Sequence, residues 1–191
     1  MDKTDQELIE QYKGGERIAI EILVDRHLKA VYNFCVRMVG NEADAEDVTQ
    51  ESFLKAWKNI SKYNAEFSFK TWILSIARNT SIDFLRKKKS INFSELDSYS
   101  EDDRKFEDSL RDSELLPDEV FERKELAKEA QDALDAVPLR MREVVLLHLA
   151  EGLTFEEIAR ILKEPMNTVK SRYRRALEAL RGLLSRVDAP K

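Results

Sequence analysis

The sequence predicts an all-α protein made of two small helical domains joined by a flexible acidic linker. Only five glycines and four prolines occur in 191 residues, which is too few for a sheet-rich fold with many turns. Long stretches carry apolar residues at three- and four-residue steps, the spacing of one face of a helix. Acidic residues accumulate between two such stretches, because residues 91–129 hold 14 Asp or Glu against 6 Lys or Arg. We place the domains at residues 1–89 and 118–191 and the linker at residues 90–117.

Three helices are expected in the first domain. Gly40 ends the first of them, and Asn41 can cap the second with a side-chain oxygen. The polar segment 61–66 separates the second helix from the third. The three helices cover residues 16–39, 41–59 and 68–88.

The second domain is predicted to contain four helices. Pro138 suits the start of a helix, and Thr154 with Glu157 has the spacing of a capping box. Residues 163–166 break the pattern, and Asn167 opens the last helix. The four helices cover residues 119–136, 138–152, 154–162 and 167–180.

Composition excludes several classes of protein. The chain is 42% hydrophobic, enough to form a core. Its single cysteine excludes a disulfide framework and a Cys-rich zinc site. We find no run of about 18 apolar residues and no secretory signal, so we expect a cytoplasmic protein without membrane insertion. The net charge of −5 alone argues mildly against nucleic-acid binding, but the acidic linker region holds the whole excess.

The strongest local signal is a helix-turn-helix pattern over residues 152–175. Residues 166–186 contain six basic residues against Glu178, a net charge of +5. Lys170 and Arg174 are four residues apart and share a face at the helix start, the part that enters the major groove in this motif. The alternative is an amphipathic helix with a solvated cationic face. The side chains expected to face inward are those of Ile158, Val169, Tyr173 and Leu177.

A second basic cluster combines cations with aromatic residues. Residues 68–89 carry six basic residues against Asp83, again a net charge of +5. Phe67, Phe69 and Trp72 lie beside this charge, and aromatic rings beside cations can stack unpaired bases. Their helical spacing is equally typical of a core, so Trp72 is either a base-stacking or a core residue.

The third signal is an acidic helix face at residues 44–51, either a solvated surface or a docking patch for a basic protein surface. The sequence shows no enzyme signature. His27 and His148 stand alone, and Cys35 lies on an apolar face, which is typical of a small core residue. We find no phosphate loop, metal motif or catalytic constellation, and therefore expect no cofactor, no metal and no enzymatic activity.

The order of these motifs resembles that of bacterial RNA polymerase sigma factors of the extracytoplasmic-function class, over residues 5–88 and 120–184. Residues 41–53, Asn-Glu-Ala-Asp-Ala-Glu-Asp-Val-Thr-Gln-Glu-Ser-Phe, look like region 2.2, which binds the clamp helices of the polymerase beta-prime subunit. The resemblance implies four polymerase contacts: Asp47, Gln50, Glu51 and Leu54.

Residues 67–73 and 77–83 look like regions 2.3 and 2.4, which melt and read the minus-ten element, and residues 61–66 correspond to the family's specificity loop for a flipped base. The resemblance implies that the minus-ten element is bound by Tyr63, Asn64, Phe67, Phe69, Lys70, Trp72, Arg78, Asn79, Asp83, Arg86 and Lys87.

Residues 152–175 look like region 4.2, the reader of the minus-thirty-five element. Asn167 stands where the family commonly has Gly, and its tolerance of a left-handed backbone would keep the turn. Arg174 stands where the family often has an apolar or aromatic residue. The resemblance places Lys170, Ser171, Arg174 and Arg175 at base edges, and Thr168 and Arg172 nearer phosphates.

The implied partners are core RNA polymerase, promoter DNA and an anti-sigma factor, with a monomer when the chain is free of polymerase. By resemblance the linker threads a basic polymerase channel, where its acidic residues would mimic nucleic acid. Two other functions remain open. A free-standing helix-turn-helix regulator would bind palindromic operators as a dimer. A sigma-like decoy would bind a partner protein and never touch DNA, but it would leave both basic clusters unexplained.

Overall fold

Four helices form each domain in the computed structural model, which describes residues 3–94 and 117–187, with side chains at 3–89 and 125–184. All regular elements within these ranges are helical, which confirms the predicted fold class. The first domain contains α1 (Asp5–Lys13), α2 (Ile18–Val39), α3 (Glu42–Lys58), a 3-10 turn (Ile60–Lys62) and α4 (Phe69–Ser94). The second contains α5 (Pro117–Ala136), α6 (Leu139–Val145), a π-helical turn (Leu146–Ala150), α7 (Phe155–Leu162) and α8 (Met166–Val187).

The core of the first domain is the apolar stripe that periodicity predicts along α2. Leu23, Val31, Phe34 and Met38 are buried on that face. Burying each such side chain is worth about 1.5–3 kcal/mol, so the stripe holds α2 against α3 and α4. As predicted, α2 ends at Gly40, whose φ of 87° is left-handed and is adopted by glycine at little cost.

The predicted cap of α3 is confirmed. The side-chain oxygen of Asn41 accepts a hydrogen bond from the backbone N–H of Asp44 at 2.9 Å, which satisfies one of the free donors at the helix start. Ala45, Val48 and Phe53 turn inward, so the acidic residues between them are left on the outer face of α3.

Periodicity does not predict helix α1, which the structure contains. Its start carries a local signal, because Thr4 and Glu7 form a capping box in which each side chain meets the other residue's backbone N–H. Leu8 and Ile9 are buried against the rest of the domain. At nine residues, α1 is too short for a long periodic pattern, and only the capping box identifies it.

Helix α7 begins as predicted. The backbone N–H of Thr154 donates to the Glu157 carboxylate at 2.9 Å, and the Glu157 N–H donates to the Thr154 hydroxyl oxygen at 3.2 Å. The predicted single helix 138–152 is instead α6 followed by the wider π-helical turn, where the N–H of Glu151 bonds the carbonyl of Leu146. This turn delivers the chain to Thr154.

Two details of the helix-turn-helix differ from expectation. The left-handed residue is Lys163, with a φ of 54°, at the end of α7, whereas Asn167 lies inside α8. The prediction that Asn167 supplies the left-handed turn is wrong, because the carbonyls that need capping belong to α7. Leu177 was expected inward but is 38% exposed, since the face of α8 is set by the buried Arg172 and Ala176.

The two domains contact each other directly. Helices α6 and α7 lie against α2 and α4, and buried apolar residues of both domains form one continuous cluster. Helix α4 runs to Ser94, past its predicted end and into the predicted linker, and residues 95–116 lie outside the described residues. None of the helices in the described part of the chain is long and apolar enough to cross a membrane.

Candidate nucleic-acid interface

The N-terminal half of α8 presents an open cationic face. Lys170, Arg174 and Arg175 are exposed, and Thr168 and Ser171 are half-buried. The Ser171 hydroxyl donates to the carbonyl of Thr168 at 2.9 Å, and Arg175 Nε donates to the carbonyl of Ser171 at 3.3 Å. Arg174 lies 3.9 Å from the Glu178 carboxylate, with both side chains exposed, a pairing that contributes little. These cations are therefore accessible to nucleic acid.

Arg172 differs from its neighbours on α8, because it is 8% exposed. One guanidinium nitrogen lies 2.5 Å from the carboxylate of Glu164, in the turn between α7 and α8, and another lies 3.5 Å from the carboxylate of Glu143 on α6. In this arrangement Arg172 joins the turn to α6 and is not available to a phosphate.

Stacked rings orient the helix-turn-helix. The rings of His148 and Phe155 stack with centroids 4.3 Å apart, and Tyr173 meets both edge-on. His148 also hydrogen-bonds the carbonyl of Leu153 through Nδ1 at 2.7 Å. These contacts join the π-helical turn, α7 and α8, so His148 has the structural role that its apolar surroundings predict. Lys170 Nζ lies 6.0 Å from the Phe155 ring centroid, which places this cation at the edge of the same cluster.

An aromatic cluster forms the base of the minus-ten candidate site. Phe69 is 1% exposed and lies at its centre, stacked on Trp57 with centroids 6.3 Å apart. Trp72 is half-buried between Tyr63 and Phe69, at centroid distances of 5.4 and 5.6 Å. Phe69 is therefore a core residue here. Trp72 is packed against two rings but remains partly exposed.

The loop before α4 is held by its own hydrogen bonds. The Tyr63 hydroxyl donates to the carbonyl of Phe67 at 2.6 Å, and burial raises the pKa of that phenol. The N–H of Glu66 donates to the side-chain oxygen of Asn64 at 3.0 Å. The loop borders a groove of about 500 Å³ that reaches Asp5 and Arg26 on the opposite wall. A planar ring is small enough to enter a groove of this volume.

The remaining minus-ten candidates fall into two groups. Lys70 and Arg78 are half-buried and bonded to the second domain: Lys70 Nζ donates to the carbonyl of Glu151 at 2.7 Å, and Arg78 Nε donates to the Glu143 carboxylate at 2.7 Å. The exposed group lies further along α4 and comprises Asn79, Asp83, Arg86 and Lys87.

The acidic face of α3 is exposed as the sequence predicts. Asp47, Gln50, Glu51 and Leu54 all lie on it, and Leu54 is 58% exposed. A groove of about 480 Å³ between α2 and α3 adjoins this face, with Leu28, Tyr32, Thr49 and Gln50 among its lining residues. An exposed leucine among carboxylates beside an apolar groove has the composition of a protein-docking surface.

Within the described residues, no group of three His, Cys, Asp or Glu could hold a metal ion. Cys35 is buried, and burial raises the pKa of its thiol, which makes it a poor nucleophile. His27 Nε2 lies 2.8 Å from the carboxylate of Asp5, so it fastens α1 to α2.

Sequence reasoning missed Glu143, which is 1% exposed on α6. Its carboxylate meets Arg78 of the first domain and Arg172 of the second, and burial raises its pKa although both cations oppose that effect. The sequence signal for it is the position of this carboxylate directly before the apolar run 144–147. A charged residue buried with that run needs a partner of opposite charge.

Comparison with known proteins agrees with this geometry. A family model described as Sigma-70 region 2 matches residues 23–91, and one described as Sigma-70, region 4 matches residues 127–180. The chain is 34% identical over 173 residues to the ECF RNA polymerase sigma factor SigW of Bacillus subtilis, covering 91% of this chain and 92% of the relative. It is also 34% identical over 179 residues to the ECF RNA polymerase sigma-E factor of Haemophilus influenzae, covering 93% of each.

Two solved structures share the fold, each at 24% sequence identity and a TM-score of 0.71. One is the sigma factor RpoE in complex with the anti-sigma factor NepR from Bartonella quintana, which covers 88% of this chain and 98% of that one. The other is CnrH in complex with the cytosolic domain of CnrY, which covers 98% of this chain and 100% of that one. Family models, relatives and fold agree that this chain belongs to the extracytoplasmic-function sigma factors, which bind core RNA polymerase and direct it to promoter DNA.

Proposed function

We propose that the two domains of this sigma factor divide promoter recognition between them. The first domain, residues 1–89, docks on the polymerase and opens the minus-ten element; the second, residues 118–191, reads the minus-thirty-five element; and residues 90–117 link them. The observation that carries the proposal is the open cationic face of α8, which follows the capped helix α7 in the chain. This is the arrangement of a recognition helix.

In the second domain, α8 inserts its N-terminal end into the major groove. Lys170, Ser171, Arg174 and Arg175 reach base edges, and Thr168 lies nearer the phosphates. A good bidentate contact is worth about 1–3 kcal/mol of discrimination, so one short helix gives modest affinity alone. Arg172 supports base recognition indirectly. Its pairing with Glu164 and Glu143 holds the turn that sets the direction of α8.

Polymerase binding supplies the missing affinity. The exposed α3 face, with Asp47, Gln50, Glu51 and Leu54, docks on the clamp helices of the beta-prime subunit, and carboxylates there favour a basic partner surface. Once both domains are anchored to one polymerase, each promoter element meets its reader at a high effective concentration. This arrangement requires no dimer, so the free chain is proposed to be a monomer.

Opening of the minus-ten element uses the loop and the cluster beneath it. A base leaving the duplex lies beside the loop of Tyr63 and Asn64 and stacks on the exposed part of the Trp72 ring, while Arg86 and Lys87 hold the backbone. Captured bases offset the stacking energy lost from the duplex. Binding energy therefore drives opening without nucleotide hydrolysis by the sigma factor itself.

An anti-sigma factor is the third proposed partner. The two solved structures of similar fold are complexes, one with the anti-sigma factor NepR and one with the cytosolic domain of CnrY. By analogy, an inhibitory protein partner is proposed to bind this chain as well. The cytoplasm, where polymerase and promoter DNA meet, is the proposed location.

The proposal is tested by transcription from a genomic DNA library with purified core polymerase, with and without this chain. The expected result is a set of new start sites that share two elements at a fixed spacing. Activity without polymerase, or binding of the isolated chain to palindromic sites as a dimer, would contradict it.

A further inference from the structure

Both ends of helix α1 are connected to the aromatic cluster of the minus-ten candidate site. At the start of α1, the Asp5 carboxylate accepts a hydrogen bond from Nε2 of His27 on α2 at 2.8 Å. The His27 ring in turn lies 5.1 Å from the Phe69 ring, centroid to centroid. Near the end of α1, the Tyr12 ring lies 6.5 Å from the Trp57 ring, which stacks on Phe69. Both routes from α1 therefore lead to Phe69.

The Asp5 carboxylate is oriented by a donor on each of its oxygens. Arg26 Nη1 lies 2.5 Å from Oδ1, and His27 Nε2 lies 2.8 Å from Oδ2. The second terminal nitrogen of Arg26 donates to the carbonyl of Lys3 at 2.8 Å. His27 is 7% exposed, and a buried polar group needs a hydrogen-bond partner. Asp5 supplies that partner, so the start of α1 fixes the direction of the His27 ring.

Phe69 transmits the position of the His27 ring to the candidate site. It is 1% exposed and contacts the rings of His27, Trp57, Tyr63 and Trp72, of which His27 is the nearest. The partly exposed Trp72 packs on Phe69 and Tyr63, and Tyr63 itself meets Phe69 edge-on. Because protein interiors are close-packed and transmit displacements, the position of Phe69 sets that of Trp72.

Asp5 also lies across a groove from the loop before α4. Asp5 and Arg26 line one side of the groove of about 500 Å³, and Tyr63 and Phe67 are among the residues that line the other. Burial raises the pKa of the Tyr63 phenol, and the negative charge of Asp5 raises it further. The carboxylate therefore acts on the loop across the groove, in addition to its contact with the ring cluster through His27.

We propose that Asp5 and His27 are positioning residues for promoter opening: the hydrogen bond between them holds Phe69, and through Phe69 it holds the Trp72 ring where an unpaired base stacks. The proposal rests on the proposed base-stacking role of Trp72. Neither Asp5 nor His27 needs to touch DNA for this role. Loss of their bond leaves the polymerase-docking face of α3 and the recognition helix α8 in place, and it weakens only the capture of the unpaired base.

The test compares Asp5→Ala and His27→Phe with Glu10→Ala, which removes an exposed carboxylate from the same helix. Asp5→Ala keeps the His27 ring but removes its partner, whereas His27→Phe keeps a ring against Phe69 and removes the hydrogen bond. Both should lower permanganate reactivity of the minus-ten element in holoenzyme complexes about fivefold, near the low end of the roughly 5- to 160-fold that one stacked base is worth. Glu10→Ala should match wild type.

Two further readouts distinguish positioning from a general loss of fold. On a promoter whose minus-ten element is premelted by mismatches, no duplex stacking has to be offset, so transcription by both variants should return close to the wild-type level. The two tryptophans of the chain, Trp57 and Trp72, both lie in the cluster. A change in tryptophan emission of the free chain therefore reports a displaced cluster directly, and Glu10→Ala should not show it. Circular dichroism and core polymerase pull-down identify the variants that fold and dock.

Unchanged permanganate reactivity in folded, polymerase-binding variants refutes the positioning role. An equal defect on duplex and premelted promoters refutes it too, because that result shows a loss unrelated to opening. A defect in only one of two folded variants also contradicts it, since both lose the same hydrogen bond.

Trp72→Ala in the same assay separates this failure from failure of the proposed function. If Trp72→Ala lowers permanganate reactivity and the Asp5 and His27 variants do not, base stacking stands and only the positioning role fails. If Trp72→Ala leaves reactivity unchanged, the base-stacking role itself fails, and the positioning role fails with it.

Discussion

Replacing Arg172 by alanine separates two roles for this residue, phosphate contact and support of the turn. The structure favours support, because its guanidinium lies 2.5 Å from Glu164 and 3.5 Å from Glu143. In Arg172→Ala, Glu164 can regain water, since 28% of its side chain is exposed. Glu143 stays buried but keeps Arg78 at 2.7 Å. We therefore expect Arg172→Ala to lower the free energy of unfolding.

The magnitude follows from that remaining pair. Leaving a buried charge entirely without a partner costs about 3–5 kcal/mol, and loss of one of two partners should cost less. We expect a loss of about 2–3 kcal/mol, toward the upper end of the usual cost of an unsatisfied buried group. At about 2–4 °C per kcal/mol for a chain of this size, Tm should fall by roughly 4–12 °C.

Thermal unfolding followed by circular dichroism measures this, with Arg175→Ala as the matched control. Arg175 is exposed and donates only to the carbonyl of Ser171 among its described contacts, so its removal should change stability by less than about 0.5 kcal/mol. A phosphate role for Arg172 makes the opposite prediction: unchanged Tm, uniformly weaker DNA binding and a salt slope smaller by about 1. That result, measured well below both unfolding transitions, would refute the structural role.

Three further predictions test the proposed surfaces. Arg175→Ala should lower transcription about 5- to 160-fold, the equivalent of the 1–3 kcal/mol of one base contact, and only on promoters with an intact upstream element; equal loss on a scrambled element would contradict this. Gln50→Ala with Glu51→Lys should weaken core polymerase binding in pull-downs without changing the circular dichroism spectrum, and unchanged capture would exclude this face. Trp72→Ala should reduce permanganate reactivity of the minus-ten element more than closed-complex formation. Loss of helical signal in that variant would instead show that Trp72 is a core residue.

Most of the fold follows from local physics. The sequence predicts Asn41 and Thr154 as caps, because a side-chain oxygen at a helix start lies close to the free backbone N–H groups and can accept from them. Both make that bond. Thr4 and Glu7 carry the same signal, yet periodicity does not predict α1, because a helix of nine residues provides little of it. Short helices are better identified by their caps than by their apolar pattern.

The buried face of α8 is harder to predict, because the residues that turn inward depend on a partner distant in sequence. Leu177 is the more apolar candidate, so the pattern placed it inward and left Arg172 outside. The structure reverses them, because Glu143 on α6 and Glu164 in the turn supply charge where Arg172 points. No local pattern contains that information, since 29 residues separate Arg172 from Glu143.

The same contacts change what local charge says about nucleic-acid binding. Each basic cluster carries +5 in the sequence, but Lys70, Arg78 and Arg172 are bonded to carboxylates of the second domain. Counting residues therefore overstates the positive potential that the free chain offers to DNA, most of all on the first domain. Glu143 pairs with one cation from each cluster, Arg78 at 2.7 Å and Arg172 at 3.5 Å, so a count of residues assigns to both clusters positive charge that this one carboxylate partly screens in the structure.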